Sequence, residues 1–489
     1  MSEKKVREIM KSEEEETESF ISGLEIHQQL DTGKLFCRCP SILRIEDPDY
    51  LLSRKLHAIA GETGEVDAAV SYEAGREREF LYECYRENVC LVDIDEEPPR
   101  EIDSGALKIC LQVALLLHCE IIPYTQIMRK TVIDGSNVSG FQRTVLIARN
   151  GYLETSFGRV GIQSVCLEED AARIVSQERD SVVYRLDRLG IPLIEIATMP
   201  DIKRPEQAKE AALKIGEILR SCRVRRGIGT IRQDVNVSIA GGKRIEIKGV
   251  QEPELIVKTL RNEVERQKEL VKNGKSVGEV RKANEDGTTT FLRPMPGAAR
   301  MYPETDLHLL HIDRELMNEV KKNLPRLKSE LRQDLEKQGL NQEMIKLILD
   351  EGKLEEYKSL LKVYEYPQLV AKLLVMWPRE IVVKEKISEK KLQEILHLDV
   401  LELILEHVKD KKIDESHARQ VLIDIAKGKD VREALKIEEV GEDLEEEILK
   451  LVREKPGLSV NAYMGLAMAR FKGKVSGKEI MEVLRRVVK

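Results

Sequence analysis

No apolar run in this sequence reaches the roughly 18 residues that a membrane-spanning helix requires, which excludes a helical membrane protein. No secretory leader is expected either, because the first twenty residues are polar and include Glu13 to Glu16. Aromatic side chains are scarce, at 4% with a single Trp. There is no Walker A loop, no Ser-His-Asp hydrolase signature, no glutaminase-like nucleophile motif and no internal repeat of fixed period. A disulfide framework is not expected. The eight cysteines belong to a chain expected to be intracellular and cytoplasmic, where thiols stay reduced or bind metals.

The 489 residues suffice for two to four domains with sizeable cores. Hydrophobic residues make up 42% and charged residues 34%, the mark of a globular, highly charged chain. A net charge of −7 argues against a uniformly basic nucleic-acid binder, but it allows a local basic patch. Residues 1–20 read as a charged extension. Short alternating strands, Gly-containing turns and a few helices fill 21–310. Beyond that the chain is rich in Leu, Lys and Glu at helical spacing, with proline punctuation at Pro367 and Pro378. Segments 325–339, 341–351, 353–363 and 388–408 read as amphipathic helices, and a second boundary falls at 387/388. Residues 451–489 carry a net charge of +6, clustered at Arg470 to Lys474 and at Arg485-Arg486. That end reads either as a solvated helical face or as a contact for RNA phosphates.

Four strands share one pattern. In Gly23 to Leu30, Leu24 and Ile26 point one way while Glu25, His27 and Gln29 point the other. Pro192 to Ala197 sets Glu195 opposite Ile194 and Ile196. Gln233 to Ile239 sets Asp234, Asn236 and Ser238 opposite Val235, Val237 and Ile239. Arg244 to Lys248 sets Glu246 and Lys248 opposite Ile245 and Ile247. Each polar face holds an acid. Gathered acids repel unless a cation neutralises them, and Mg²⁺ takes carboxylate oxygens together with substrate phosphates. The pattern therefore reads as a metal-bearing, nucleotide-binding sheet face, or as a solvated face with compensating Lys and Arg.

Four further stretches carry chemistry. The Gly-rich loop Asp134 to Thr144 can bring backbone N–H groups to an anion, with Arg143 as a fork for phosphate. Glu168-Glu169-Asp170 reads as acids before a helix start. Arg300 to Asp306 reads as extended. Cys37 and Cys39, with Cys84 and Cys90, have donors for structural Zn²⁺ but not the usual paired C-x₂-C spacing.

These blocks, together with Lys34 to Cys39, Asp95 to Pro99, Tyr184 to Ile196, Gly229 to Ile239, Glu246 to Gln251 and the tail Asn461 to Met468, cover nearly the whole chain. They resemble the B/E subunit family of tRNA-dependent amidotransferases, and within it the archaeal E subunits that act on Glu-tRNA(Gln). The resemblance implies an α+β fold. It has an N-terminal cradle domain of glutamine synthetase/guanidino kinase type over 21–310, a helical domain over 311–387 and a helical, tRNA-binding tail over 388–489. It implies ATP- and Mg²⁺-dependent phosphorylation of the γ-carboxylate of glutamate on tRNA(Gln). Ammonia from a partner glutaminase then displaces phosphate. The implied partner is the asparaginase-like D subunit, in a heterotetramer of two D and two E chains.

Carried over by position, the metal ligands fall on His27, Glu169 and Glu195, with Glu169 favoured over Glu168. Glu25, Glu195, Asp234 and Lys248 are implied in catalysis. Ser136, Asn137, Ser139, Arg143 and Arg300 are implied in contacts to ATP or the acyl phosphate. Two departures stand out. Most E subunits carry an inserted domain before the Met-Tyr-Pro-Glu-Thr-Asp block, whereas here only Leu270 to Arg300 separates the flanking blocks. The B-type Cys-x-x-Cys partner of Cys37 and Cys39 is also missing, which weakens the expectation of zinc. A B subunit of a three-subunit Glu/Asp-tRNA enzyme and a non-catalytic tRNA-binding scaffold are the rival readings.

Overall fold

Strand β1, Phe20–Gln29, alternates apolar and polar side chains and lies in the middle of a large sheet, hydrogen-bonded on both edges. The computed structural model describes residues 20–61, 64–297, 300–435, 443–471 and 477–488. The charged extension at 1–19 and the basic residues Lys472 and Lys474 lie outside these. The chain divides after Leu327 into two units.

After β1 the first unit runs through β2 (Tyr50–Arg54), α1 (Ala68–Ala74), β3 (Glu79–Cys84) and α2 (Ser104–Leu116). Seven strands follow: β4 (Glu120–Ile121), β5 (Tyr124–Thr125), β6 (Ile127–Thr131), β7 (Phe141–Thr155), β8 (Gly158–Glu169), β9 (Arg173–Gln177) and β10 (Ser181–Arg185). Next come β11 (Pro192–Thr198), α3 (Pro205–Ser221), β12 (Ile231–Ile239), β13 (Ile245–Lys248) and α4 (Pro253–Lys272). The hairpin β14 (Glu279–Ala283) and β15 (Thr289–Pro294), then β16 (Met301–Pro303), β17 (Leu310–His311) and α5 (Arg314–Lys322), complete the unit.

The main sheet has the order β15-β14-β13-β12-β1-β11-β8-β7-β6-β16, with β4 beside β7. Its pairs are antiparallel except β13 with β14. A second sheet, β2-β3-β10-β9, stands apart with its own small core of Phe80, Tyr82, Val182 and Tyr184. The unit is thus α+β, as expected.

One face of the main sheet is apolar. Ile26, Val145, Leu167, Ile194, Ile196, Val235 and Ile247 are fully buried there. They share one core with Leu111 and Val113 of α2, Ile215 and Leu219 of α3, and Ile256 and Leu260 of α4. Burial of each such side chain contributes about 1.5–3 kcal/mol. The helices start where the sequence signals it. The Asp103 side chain accepts from the Ala106 backbone N–H at 2.7 Å, and Pro205 and Pro253 open α3 and α4.

Adjacent residues on a strand face opposite ways, so packing one set against helices commits the alternate set to the other side. That side carries Glu25, His27, Glu168, Glu195, Arg232 and Asp234. The hairpin β14-β15 closes within a few residues, so 270–294 is filled by the end of α4, a short loop and the hairpin.

The second unit is helical among its described residues. Helices Lys328–Lys337, Gln342–Asp350 and Leu354–Val363 match the expected segments closely. The segment 388–408 is two helices, Glu389–Ile395 and Leu398–Lys409, because the chain leaves helical geometry at Leu396 and His397. Both halves still reach one core, through Leu392 and Leu401. Helix Pro367–Ala371 runs into a π-helical turn, Lys372–Met376, with Leu373, Leu374 and Val375 buried. A smaller cluster joins Ile448, Leu451, Tyr463, Ile480 and Leu484. No described helix is long and apolar enough to cross a membrane.

Candidate functional site

Strand phase assembles the site. Across β1, Glu25 pairs in register with Asp234 of β12, and His27 pairs with Glu195 of β11 on one side and Arg232 of β12 on the other. His27 Nε2 lies 3.3 Å from Glu195 Oε2 and 3.5 Å from Glu25 Oε1. Two groups of donor atoms result, Glu25-His27-Asp234 and His27-Glu168-Glu195, each with its atoms within 4.8 Å of one another. Carboxylate oxygens with an imidazole suit a divalent cation.

Two lysines offset this charge. Lys130 Nζ stands 2.6 Å from Glu168 Oε1 and 3.6 Å from Glu195 Oε2. Lys248 Nζ stands 2.8 Å from Asp234 Oδ2 and 2.7 Å from Glu246 Oε1. Burial works against both ammonium groups, but the carboxylates beside them outweigh it and hold both above the ordinary lysine value. Burial and the Glu195 charge push Glu25 up to about 7. Glu195 goes the other way: burial opposes its ionisation, yet Lys130 and His27 hold it below the usual carboxylate range. His27 is raised despite burial, chiefly by its hydrogen bond to Glu195.

These residues line a cleft of about 410 Å³ that also takes in Ser136, Asn137 and Arg300. The second sheet holds the Gly-rich loop at the cleft wall. Tyr82 Oη donates to the Gly135 carbonyl at 2.9 Å and Tyr184 Oη to the Asp134 carbonyl at 2.8 Å. Gly135 has φ +90°, and a Cβ there would fall 2.2 Å from a Phe80 ring carbon, so both backbone and space require glycine.

Three expected residues stand elsewhere. Glu169 faces the helix side of the sheet, where its carboxylate accepts from the Arg143 backbone N–H at 3.2 Å. Arg143 is buried on that same side, with Nε 2.8 Å from Glu304 Oε2, and does not reach the cleft. Ser139 Oγ donates to the Phe141 carbonyl at 3.0 Å and is not among the cleft-lining residues. The physical reason is common to Glu169 and Arg143. Residues 158–169 are strand, not the approach to a helix, and Leu167 is buried in the core. Its odd-numbered neighbour Glu169 follows it to that face, while Glu168 joins His27 and Glu195.

Lys130 and Arg232 are absent from the residues expected on sequence grounds, although strand alternation points to both. Lys130 is out of phase with buried Ile127, and Arg232 is two residues from Asp234.

A second donor cluster lies away from the cleft. Cys37, Cys39, Cys90 and Asp93 place their donor atoms within 4.8 Å of one another. Asp93 stands where a C-x₂-C motif would have its second cysteine. Cys84 is not part of the group, because it sits in the core of the second sheet. Fully buried Lys34 lies 3.2 Å from Asp93 Oδ1. Burial pushes Asp93 up to about 6 against the pull of that lysine. Hydrogen bonds from the Cys37 and Cys39 thiols hold the Cys90 thiol well below its ordinary value. Three sulfurs and a carboxylate at one point fit a tetrahedral zinc site.

Comparison with known proteins gives a consistent result. The family model described as the GatB/GatE catalytic domain matches residues 20–318. The E subunit of the glutamyl-tRNA(Gln) amidotransferase from Methanocaldococcus jannaschii is 36% identical over 624 aligned positions, covering 96% of this chain and 98% of the relative. Its namesake from Archaeoglobus fulgidus is 35% identical over 611 positions, covering 96% and 97%. Both alignments exceed the 489 residues of this chain, so well over a hundred positions of each relative have no counterpart here.

Proposed function

We infer the function from one premise: the chain belongs to the GatB/GatE catalytic-domain family. It is the acceptor-side subunit of a glutamyl-tRNA(Gln) amidotransferase, a ligase that converts Glu-tRNA(Gln) to Gln-tRNA(Gln). The observation that carries this reading is the paired donor sets around His27 on one sheet face, each with its own lysine. A carboxylate does not react with ammonia, since oxide would have to leave. In the first step a γ-carboxylate oxygen attacks the γ-phosphorus of ATP and ADP leaves. In the second, ammonia attacks the acyl carbon, phosphate leaves and a proton is lost.

The chain's own residues supply binding and charge. His27, Glu168 and Glu195 would hold one Mg²⁺, with Glu25 and Asp234 as a second set. The ion supplies charge neutralisation for phosphoryl transfer. Lys130 and Lys248 offset the charge of these carboxylates and hold Glu168 and Asp234 in place. Ser136, Asn137 and Arg300, which line the cleft, would meet phosphate or acyl-phosphate oxygens. Ammonia comes from an asparaginase-like D subunit, in an assembly of two D and two E chains. The cradle of glutamine synthetase/guanidino kinase type lies in the first unit, which runs through Leu327, and the helical second unit carries the tRNA-binding tail. Zn²⁺ at Cys37, Cys39, Cys90 and Asp93 is structural, with Asp93 as the fourth ligand.

The test is amidation of Glu-tRNA(Gln) with D subunit, glutamine, ATP and Mg²⁺, with Asp-tRNA(Asn) in parallel. Gln-tRNA(Gln) should form, and Glu195→Gln should abolish ATP consumption while tRNA binding persists. Absence of Mg²⁺-dependent ATP consumption by the wild type would favour the non-catalytic scaffold. Activity only with an amidase-type A subunit and a small C subunit would assign the chain as a B subunit.

A further inference from the structure

Arg232 is held differently from Lys130 and Lys248, the two lysines beside the acidic sets. Lys130 contacts Glu168 and Glu195, and Lys248 contacts Asp234 and Glu246. Arg232 instead contacts Asp170, through one NH2 group at 2.7 Å from Oδ1. A guanidinium has five donors in a rigid plane, so one contact leaves most of the fork unspent.

Asp170 is itself fixed. Its side chain is 1% exposed. Its Oδ2 accepts from Gln29 Nε2 at 2.6 Å, its Oδ1 also accepts from the Ala171 backbone N–H at 2.8 Å, and its own backbone N–H donates to the Ile191 carbonyl. With these contacts made, Asp170 is a clamp rather than a ligand. Its neighbours come from β1, from the turn after β8 and from the segment before β11, where Arg188 Nε lies 3.9 Å from Oδ2, so Arg232 is braced against the frame that carries His27 and Glu168.

Position matters as much as valence. Arg232 is the register partner of His27 across β1 and therefore stands roughly one strand spacing, about 5 Å, from it. Its side chain is one-third exposed and lines the cleft. Nine carboxylates line the cleft against five cations, Arg293 and Arg300 included, so an acceptor carboxylate entering it adds negative charge where acids are in excess. A planar fork beside His27 meets that carboxylate in bidentate fashion and remains paired with it as it becomes an acyl phosphate. The nucleotide, in contrast, arrives with its phosphates already shared with a cation.

Resting on the function proposed above, we propose that Arg232 binds the reacting γ-carboxyl group of the acceptor, and that Asp170 is the positioning residue that aims it.

The test uses the complete enzyme with its D subunit, Glu-tRNA(Gln), ATP and Mg²⁺. The tRNA body supplies most of the affinity, so loss of a contact at the reacting group should appear in kcat. Arg232→Gln should lower kcat roughly 100-fold, with the Kd for Glu-tRNA(Gln) and the binding of ATP alone within about threefold of wild type. Guanidinium ion should restore Arg232→Ala at least about tenfold, which a merely structural loss would not permit. Asp170→Asn should lower kcat roughly tenfold in the same pattern. Normal turnover by Arg232→Gln, or loss of ATP binding in the absence of acceptor, would overturn the assignment, the second by giving Arg232 to the nucleotide. Wild-type behaviour of Asp170→Asn would overturn its positioning role. Failure of the wild type to consume ATP with Glu-tRNA(Gln) would instead defeat the functional reading itself.

Discussion

Glu25 and His27 both make the fold less stable as pH rises. Glu25 sits at about 7 in the folded protein, against an ordinary 4.5. An acid whose folded value is raised costs stability once it ionises. The cost is absent below about pH 4.5, grows through the window up to 7 and is complete above it. His27 is also raised, and it acts in the same sense: its stabilising contribution is present at low pH and fades as pH climbs past its folded value. Glu25→Gln in the metal-free protein should therefore match wild type near pH 4.5 and exceed it at pH 8 by on the order of 1–3 kcal/mol. Urea unfolding at the two pH values measures this, and equal midpoints at pH 8 would contradict the account. Bound Mg²⁺ should reverse the order, because it is the ionised carboxylate that a cation stabilises.

At the scale of elements, strand phase is the most legible signal. Alternation places Glu25, His27, Glu195, Asp234 and Lys248 together, because each strand's apolar set has one helix-covered face to occupy. It fails at Glu168 and Glu169, where a run of acids looks like a helix approach, and it passes over 127–131 and Arg232. The cysteine cluster is half legible. Cys37 and Cys39 are neighbours in sequence, but Cys90 and Asp93 reach them only through the turn after β3, and no spacing rule gives an aspartate as a cysteine's replacement. If zinc occupies that point, the purified protein carries close to one equivalent. Cys90→Ser and Asp93→Asn should lose it, with a lower melting temperature, since metal binding free energy is folding free energy. Metal analysis beside a thiol-reagent titration checks this, and fully reduced wild type without zinc would refute it.

The whole molecule has two units with separate cores, so its unfolding need not be a single event. Calorimetry should resolve two transitions. ATP with Mg²⁺ should raise only the one belonging to the first unit, by a few degrees at saturating ligand, because a ligand stabilises what binds it. A single transition that moves as a whole would mean that the units unfold together. The relatives are longer than this chain by well over a hundred aligned positions, yet 270–294 closes here as the end of α4 and one hairpin.

That hairpin forms one margin of the main sheet, whereas β1 sits deep inside it. The two places differ in how much they can change length over evolutionary time. A segment grafted at the margin leaves the ladder intact. A single residue gained or lost within β1 would exchange inward and outward side chains from that point on, driving Glu25 and His27 into the oily layer and Leu24 and Ile26 into the cleft. The central strand thus behaves as a reading frame: insertions are tolerable at its periphery and frameshifts are lethal at its heart.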